Sequence, residues 1–387
     1  MNETKTALFE EELAARLRRL EAKNRLRRLV PGQGLDFSSN DYLGLADHPG
    51  IRAALVRALE DGISLGSTGS RLLRGNSHWH ENMERRLARW KGCPAALIFN
   101  SGYDANVGVL STLIGGGDRV FADTLIHASI WDGIRAAGAH LDTFPHNDMA
   151  ALERLLAAAP TAGNRFLVVE SLYSMDGDRA PLALLAGLAR RYRAHLIVDE
   201  AHATGVFGPS GAGLLEEAGL TAAPLVTIHT CGKAWGGFGA FVTCSRTVRD
   251  YLVNRCRRLI FTTALPPLMM AQWQAALTVI QEESWRRRRV LALADRLRSA
   301  LADRVDCGAS DTQIVPILLG DSQTALQKAA QLQAAGFDIR AIRPPSVPPG
   351  GARLRLALRA TLKDEELESL ITTCRQIFPR LNHHPAN

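Results

Sequence analysis

The chain has 387 residues, 46% of them hydrophobic and 22% charged, and 46 lysines and arginines against 39 aspartates and glutamates give a formal net charge of +7. These values are typical of a globular protein and exclude a largely disordered chain. The length exceeds the roughly 250 to 300 residues at which one hydrophobic core stops growing, so we expect more than one domain. The basic surplus is too small to identify a nucleic-acid-binding protein.

The cysteines and the hydropathy pattern exclude further classes of protein. The 6 cysteines form no Cys-x-x-Cys pair, so we expect no metal site, no disulfide framework and a cytoplasmic location. No apolar run reaches the about 18 residues of a membrane span, and no signal-peptide pattern is visible. The arginine-rich stretch 286–289 is interpreted as a solvated helix face. The alternative is attraction of an anionic carrier, either coenzyme A or an acidic carrier protein.

In chain order, the first predicted elements are a charged amphipathic helix at about residues 9–29 and a Gly-rich loop at 62–80. The loop lacks Gly-Lys-Ser/Thr and follows no clear strand, so it is not interpreted as a nucleotide-binding P-loop.

Between about residues 95 and 245, short apolar runs alternate with helix-length segments. The predicted strands are AALIF (95–99), RFLVVE (165–170), HLIVDE (195–200), LVTIHT (225–230) and AFVTC (240–244). This rhythm indicates an α/β fold with a mostly parallel central sheet sandwiched by helices. Ligands of such sheets gather at the carboxyl ends of the strands, where Ser101, Ser171, Asp199 and Thr230 fall.

After this core, a long helical stretch (268–304) leads to a smaller α+β segment with VPILLG and RLRLAL as strands. The sequence therefore predicts an N-terminal helix and arm (1–45), a large domain (46–280) and a small α+β C-terminal domain (281–387).

The segment HLIVDEAHATG places Asp199 at the end of a predicted strand and His202 in the following turn. A carboxylate there can keep a pyridine nitrogen protonated, which allows a cofactor to absorb the electron pair of a substrate carbanion. His202 can donate to a phenolic oxygen of the same cofactor. The alternative is that Asp199 caps the next helix and His202 faces solvent.

The segment IHTCGKAWGGFGA (228–240) delivers Thr230 and then Lys233 into a Gly-rich turn. A lysine at this point can form an imine, and Thr230 can contact a phosphate, since the glycines permit close backbone approach. The alternative is a surface lysine in a flexible loop. Its position at the strand end after the Asp199 and His202 pair favours the functional interpretation.

The segment FNSGYDAN (99–106) follows a strand and opens a helix, so the amides of Gly102 and Tyr103 are predicted to face an anion such as a phosphate. The alternative is a helix that Ser101 simply caps. His127 can stack on a flat cofactor and Ser174 can add a hydrogen bond, although each alone is equally compatible with a structural role.

Together, these elements resemble the fold-type-I pyridoxal-phosphate (PLP) enzymes in their order. Further segments are similar to the α-oxoamine synthase family across nearly the whole chain: FSSNDYLGL (37–45), RGNSHWH (74–80), SMDGDRAPL (174–182), VDEAHATGVFG (198–208), FTTALPP (261–267) and AIRPPSVPPGGARLRLAL (341–358). The resemblance implies PLP as cofactor and the PLP-dependent transferase fold.

The resemblance also implies roles for individual residues. Lys233 is expected to bind the cofactor covalently, Asp199 to contact its ring nitrogen, His202 its phenolic oxygen, and His127 to lie over its ring. The expected anchors of the cofactor are Gly102, Tyr103, Ser174 and Thr230. Arg355 is similar to the arginine that receives the amino-acid carboxylate, and Arg27 and Ser346 are expected to face the substrates.

The reaction implied is the joining of an amino acid to an acyl thioester with loss of carbon dioxide. The segment 341–358 is most similar to the member of the family that acts in biotin biosynthesis, and this resemblance implies L-alanine and a pimeloyl thioester, carried by coenzyme A or a carrier protein, as substrates. A sibling that uses glycine or serine with another acyl thioester is the alternative, and a non-catalytic anion- or nucleic-acid-binding protein on the same fold is the alternative from another class. The family forms homodimers, so the segment 261–267 is expected to serve the partner's site. The lysine loop reads TCGKAWGGFGA, whereas the family more often has a small residue and glycine after the lysine, so Trp235 is expected to reshape the site wall.

Overall fold

The computed structural model describes residues 2–160 and 162–381. Its helices are α1 Asn2–Ala22, α2 Pro49–Glu60, α3 His78–Trp90, α4 Gly102–Leu113, α5 Ala128–Ala137, α6 Met149–Ala158, α7 Leu182–Arg191, α8 Leu214–Glu217, α9 Arg246–Arg255, α10 Arg257–Ile260, α11 Pro267–Glu282, α12 Trp285–Leu301, α13 Ser322–Ala334 and α14 Asp364–Ile377. Its strands are β1 Leu35–Asp36, β2 Ala95–Phe99, β3 Arg119–Asp123, β4 His140–Phe144, β5 Arg165–Glu170, β6 Ala194–Asp199, β7 Val226–Thr230, β8 Ala240–Cys244, β9 Ile314–Gly320, β10 Phe337–Asp338, β11 Ala341–Ile342 and β12 Ala352–Ala357.

The larger of two compact units comprises residues 40–292 and 359–361. In the described part of this unit, a seven-stranded sheet runs in the order β2-β8-β7-β6-β5-β3-β4. Only β8 is antiparallel to its neighbours, so the predicted mostly parallel sheet is confirmed. The central strands are buried along most of their length, as expected of strands covered on both faces.

The sequence missed strands β3 and β4 of this sheet. Strand β3 begins and ends with charged residues, Arg119 and Asp123, and β4 has the sequence HLDTF. Strand β4 lies at the edge of the sheet, pairs only with β3 and is partly exposed, so it carries no continuous apolar run. An edge strand of this kind gives a weak hydrophobic signal.

The other unit comprises the described residues up to 39, 293–358 and from 362 onward. Strands β11, β12 and β9 form an antiparallel sheet, and β1 pairs with β10 in parallel. Helices α13 and α14 accompany these strands, so the α+β character predicted for the C-terminal segment is confirmed, whereas the predicted domain boundaries stay a prediction.

Two predicted helices were too long. Helix α1 ends at Ala22, not near residue 29, because Asn24 has a left-handed φ of 54° and Arg25 donates its backbone N–H back to the Leu20 carbonyl at 2.7 Å. The stretch 268–304 is two helices, since Glu283 leaves the helical conformation with ψ at 55° and α12 begins only two residues later. In the described residues, no helix is both long and apolar enough to cross a bilayer.

Candidate active site

Polar side chains gather at the carboxyl edge of the large sheet because its parallel strands end there together. Glu170, Asp199 and Thr230 are the last residues of β5, β6 and β7. Ser101 follows β2 and caps α4, accepting the backbone N–H of Asp104 at 3.0 Å. The predicted positions of Ser101, Asp199 and Thr230 at strand ends are therefore confirmed.

Lys233 lies in the turn between β7 and β8, and its amine is held by a histidine. The distance from Nζ of Lys233 to Nε2 of His202 is 2.8 Å. On the other side of the ring, Nδ1 of His202 lies 2.7 Å from the hydroxyl of Tyr42. His202 and Tyr42 are buried and Lys233 is half-buried, so the lysine amine has a defined position at the sheet edge.

Two glycines give the lysine turn its shape. Gly236 and Gly239 have φ values of 59° and 97°, which side chains rarely adopt. A Cβ on Gly236 would lie 2.2 Å from the backbone nitrogen of Ala46, so no other residue fits there without movement. The turn that presents Lys233 thus depends on these two positions.

Asp199 and His127 are joined by a chain of hydrogen bonds. The amide nitrogen of Asn106 donates to Oδ2 of Asp199 at 2.7 Å and to Oγ of Ser129 at 3.0 Å. Oγ of Ser129 lies 2.7 Å from Nδ1 of His127, and the backbone N–H of Ala201 donates to the other oxygen of Asp199 at 2.8 Å. The carboxylate and the imidazole are therefore oriented as one unit.

Two groups of this site have displaced pKa values. Desolvation lowers the pKa of His127, the nearby Lys233 cation lowers it further, and Asp199 opposes the change. Burial raises the pKa of Glu170 well above its usual value, and the negative charge of Asp199 adds to this effect. A neutral His127 ring suits stacking against a flat ligand, and its outer surface is exposed.

An anion can bind at the N-terminus of α4. The first-turn N–H groups of a helix have no acceptor within the helix, and here they belong to Gly102 and Tyr103. A Cβ built on Gly102 would lie 3.7 Å from Oγ1 of Thr230, so that hydroxyl faces the same point. The Tyr103 side chain itself turns outward and its hydroxyl bonds Asp132, which leaves the backbone N–H as its contribution.

Ser174 belongs to a loop that the half-buried His146 holds in place through Asp178. Nδ1 of His146 lies 3.1 Å from both carboxylate oxygens of Asp123, and Nε2 lies 2.8 Å from Asp178. Burial lowers the pKa of His146, but the hydrogen bonds to the two aspartates outweigh burial and raise it to about 10. Ser174 is buried four residues before Asp178.

The three residues expected to face the substrates lie in the other unit. Arg27 donates to Oγ of Ser346 at 3.0 Å, and both line a groove of about 820 Å³. Arg355 is buried on β12, opposite Pro316 of β9. The structure thus brings Arg27 and Ser346 together, and Arg355 lies on the antiparallel sheet of the same unit.

Trp235 contributes no exposed surface to the site, contrary to the expectation that it reshapes the wall. Its ring is fully buried and packs edge-on against Trp90 and Trp273, with Phe241 alongside. Aromatic pairs at these separations favour such tilted arrangements, so the residue belongs to the core behind the lysine turn.

Sequence reasoning missed four residues of the site: Tyr42, Asn106, Ser129 and Glu170. The first two lie inside segments that were singled out, FSSNDYLGL and FNSGYDAN, but no role was given to them. Glu170 ends a predicted strand just as Asp199 does. A carboxylate at the end of a predicted strand could therefore have indicated that Glu170 lies at the site. In the part of the chain that the structure describes, no cluster of histidine, cysteine, aspartate and glutamate suits a metal ion.

The comparisons with known proteins agree with this architecture. A family model described as aminotransferase class I and II matches residues 33–373, and the chain belongs to this family, whose members include PLP-bound transferases of the same α/β fold. The predicted fold-type-I class is thereby confirmed. Within it, the chain groups with the 8-amino-7-oxononanoate synthases.

Two 8-amino-7-oxononanoate synthases and one further PLP enzyme, SPT, illustrate these similarities. The 8-amino-7-oxononanoate synthase of Geobacter sulfurreducens is 46% identical over 346 residues, covering 89% of this chain and 88% of that protein. A structure of SPT with PLP is 32% identical with a TM-score of 0.84, covering 89% of this chain and 87% of that one. The structure of 8-amino-7-oxononanoate synthase from Francisella tularensis is 27% identical with a TM-score of 0.76, covering 89% of this chain and 98% of that one.

Proposed function

We propose that this chain is a PLP-dependent acyltransferase that joins L-alanine to a pimeloyl thioester, giving 8-amino-7-oxononanoate, carbon dioxide and free thiol in biotin biosynthesis. The observation that carries the proposal is the Lys233 amine, which lies 2.8 Å from His202 at the same sheet edge as Asp199. The names of the relatives support the particular reaction.

The donor set fits PLP. The N-terminus of α4, with Gly102, Tyr103 and the Thr230 hydroxyl, forms a cradle for a phosphate, and a larger residue at 102 would approach Thr230. The buried carboxylate of Asp199 suits a protonated ring nitrogen, and His127 offers an exposed ring for stacking. His202 is proposed to donate a hydrogen bond to the phenolic oxygen of PLP, and Ser174 to bind near its phosphate.

When bound, PLP withdraws electrons from the substrate's α-carbon and so stabilises a carbanion there. The residues of the chain support this charge and accept the α-proton of the amino acid. Asp199, fixed by Asn106 and the Ala201 N–H, presents a negative charge to the ring nitrogen. Lys233 takes the α-proton of the amino acid on Nζ, whose position the His202 contact sets. His127 orients the acyl group or donates a proton to it.

The substrates are proposed to be held by arginines. Arg355 binds the carboxylate of the amino acid, because a guanidinium matches a carboxylate with two parallel hydrogen bonds. Arg27 and Ser346, joined at 3.0 Å, bind the terminal carboxylate of the pimeloyl chain. A palmitoyl chain has no charged end group and would gain nothing from the exposed Arg27 guanidinium, which disfavours it relative to a pimeloyl chain.

The proposal also covers the location of the enzyme, its oligomeric state and the carrier of its acyl substrate. We propose a cytoplasmic homodimer whose sites lie at the subunit interface, with segment 261–267 serving the partner. In this segment Thr262 and Thr263 accept the side-chain amide of Asn100, which follows β2 at the sheet edge. The thioester is carried by coenzyme A or by an acyl carrier protein. Nucleic acid and membrane are not proposed as partners.

A second candidate is a sibling reaction with glycine or serine and another acyl thioester. The observation that favours it is the likeness to a serine palmitoyltransferase from Sphingomonas wittichii, 32% identical with a TM-score of 0.85. The sequence relatives, at 46% identity, favour the first candidate.

The test is cofactor attachment. The purified protein should carry a visible absorption band that borohydride abolishes, and peptide mass spectrometry should find the reduced cofactor on Lys233. A colourless protein that takes up no PLP on titration contradicts the proposal. Attachment at another lysine would contradict the role of Lys233 alone.

A further inference from the structure

Glu170 is a buried carboxyl group at the candidate site that the proposed reaction does not use. It ends β5 and pairs in register with Asp199 at the end of β6. Residues paired in register on parallel strands project from the same face of the sheet, so the two carboxyl groups are neighbours. Glu170 is only 3% exposed.

The two carboxyl groups differ in their hydrogen bonds. Asp199 receives donors on both oxygens, from Asn106 and from the backbone of Ala201. The backbone N–H of His127 is close enough to the Glu170 carboxyl to lower its pKa. Its buried Oε1 has no partner among the residues that the structure describes. A buried oxygen of this kind is costly as part of an anion and much less so as part of a neutral acid.

Hydrogen bonds and close contacts together form a ring around the site. From Glu170 the chain of contacts passes through His127 to Ser129, then through Asn106 to Asp199, and Asp199 lies beside Glu170 again. Glu170 thus lies between the backbone of His127 and the carboxylate of Asp199.

We propose that Glu170 is a positioning residue of the cofactor site: it holds a proton on its buried carboxyl, orients His127 through the backbone, and adds no second negative charge beside Asp199. This inference rests on the proposed function only for the identity of the cofactor. Its consequence is that Asp199 supplies the negative charge for the ring nitrogen without competition from a second carboxylate.

The charged surroundings of Glu170 support the neutral form. Burial is the largest influence and raises its pKa well above the usual value of 4.5. Asp199 on β6 and Asp123 at the end of β3 raise the pKa further, whereas Lys233 and the His127 backbone bond lower it. Because burial and two carboxylates act against one cation and one N–H, the protonated form is favoured.

The first experiment compares Glu170→Gln and Glu170→Ala in the complete protein, with Glu60→Gln on the exposed face of α2 as the control. The PLP dissociation constant and the pH midpoint of the visible band are measured. Gln mimics the neutral acid, so the midpoint should stay unchanged, whereas Ala should raise the dissociation constant about tenfold through loss of one hydrogen bond. A shift of about one pH unit in Glu170→Gln would show that wild-type Glu170 carries a charge and would overturn the inference.

The second experiment uses the protein without PLP, so its outcome is independent of the proposed function. A raised pKa in the folded state means that wild type loses stability as pH rises above about 4.5, because the buried group must retain a proton that the unfolded chain releases. Glu170→Gln has no such proton. The melting temperature of Glu170→Gln relative to wild type should therefore increase from pH 5 to pH 8, as the linkage between proton binding and folding requires. A difference that stays constant over this range contradicts the inference. If wild type binds no PLP while this difference grows, the proposed function fails and the protonation of Glu170 stands.

Discussion

The hydroxyl of Tyr42 lies 2.7 Å from Nδ1 of His202, whose other ring nitrogen lies 2.8 Å from Nζ of Lys233. Tyr42 is fully buried and also lies 3.0 Å from Oδ1 of Asn40, so its hydroxyl has a fixed position. A fixed hydroxyl sets the orientation of the imidazole, and through it the position of the lysine amine. Tyr42 is therefore a positioning residue for Lys233.

Tyr42→Phe should lower kcat about tenfold while the fold and PLP binding persist. The change removes one buried hydrogen bond, and a loss of about 1.4 kcal/mol, near the upper end for such a bond, corresponds to a tenfold lower rate. Steady-state kinetics with L-alanine and pimeloyl thioester measure kcat. The control is Tyr251→Phe, on the exposed face of α9. An unchanged kcat in Tyr42→Phe would remove the positioning role.

Lys233→Ala should reduce turnover by at least about 10³-fold, because the change removes both the proposed point of cofactor attachment and the proposed base. PLP should still bind, less tightly, since the cradle at α4 does not involve the lysine. Circular dichroism checks the fold, and Lys23→Ala, at an exposed lysine, is the control. Turnover near the wild-type value in Lys233→Ala would exclude its assignment.

The chemistry-bearing residues of the large sheet could be predicted from the sequence because each lies at or just after the end of a short, buried strand. Asp199 and Thr230 end such strands, and Lys233 follows the second one after two residues. The hydrogen bonds that connect these residues to the rest of the site could not be predicted from the sequence. Asn106 reaches Asp199 across 93 positions of sequence and Tyr42 reaches His202 across 160, and no local pattern encodes contacts at such separation. Trp235 was misjudged because its neighbour Lys233 faces the site while its own ring packs inward.

His146 should make the stability of the protein depend on pH in the alkaline range. Its pKa is raised from 6.5 to about 10 by Asp123 and Asp178, which outweigh burial. A raised histidine pKa stabilises the fold fully below pH 6.5, and this contribution is lost as the pH rises through about 10. His146→Gln should therefore lower the free energy of unfolding by about 3 kcal/mol at pH 6.5, and the difference should shrink toward pH 10.

Urea unfolding at several pH values measures this difference, with His78→Gln, at an exposed histidine of α3, as the control. The His146 side chain is mostly shielded from water, so screening leaves most of the effect in place. A difference between His146→Gln and wild type that stays constant from pH 6.5 to pH 10 would contradict the role of the charged imidazole.

Arg355→Lys should raise the KM for L-alanine about tenfold with a smaller effect on the fold. Lysine keeps the charge but cannot form the two parallel hydrogen bonds of a guanidinium with a carboxylate. Arg353→Lys is a matched control, because Arg353 lies two residues earlier on β12, projects from the same face and is similarly buried. Equal KM changes in both variants would mean that the strand, and not Arg355 itself, is disturbed.

The preferred pair of substrates is the prediction that separates the siblings. Trp235 is buried in the core, so it does not narrow the space around the α-carbon of the amino-acid substrate. The choice of amino acid therefore depends on the other residues near Lys233. A pocket distinguishes one methylene by only about 1 to 3 kcal/mol, so glycine and serine should show some turnover. We expect the acyl chain to be discriminated by charge, because the exposed Arg27, which bonds Ser346 at 3.0 Å, can attract a terminal carboxylate and gains nothing from an apolar chain end. The test is a matrix of assays that measure thiol release and product mass. Alanine, glycine, serine and threonine are each combined with pimeloyl, acetyl, succinyl and palmitoyl thioesters. We expect the largest kcat/KM for L-alanine with the pimeloyl donor, and Arg27→Ala should lower it for pimeloyl far more than for palmitoyl. A preference for palmitoyl would assign the chain to the serine palmitoyltransferase reaction instead, with the roles of Lys233 and Asp199 unaffected.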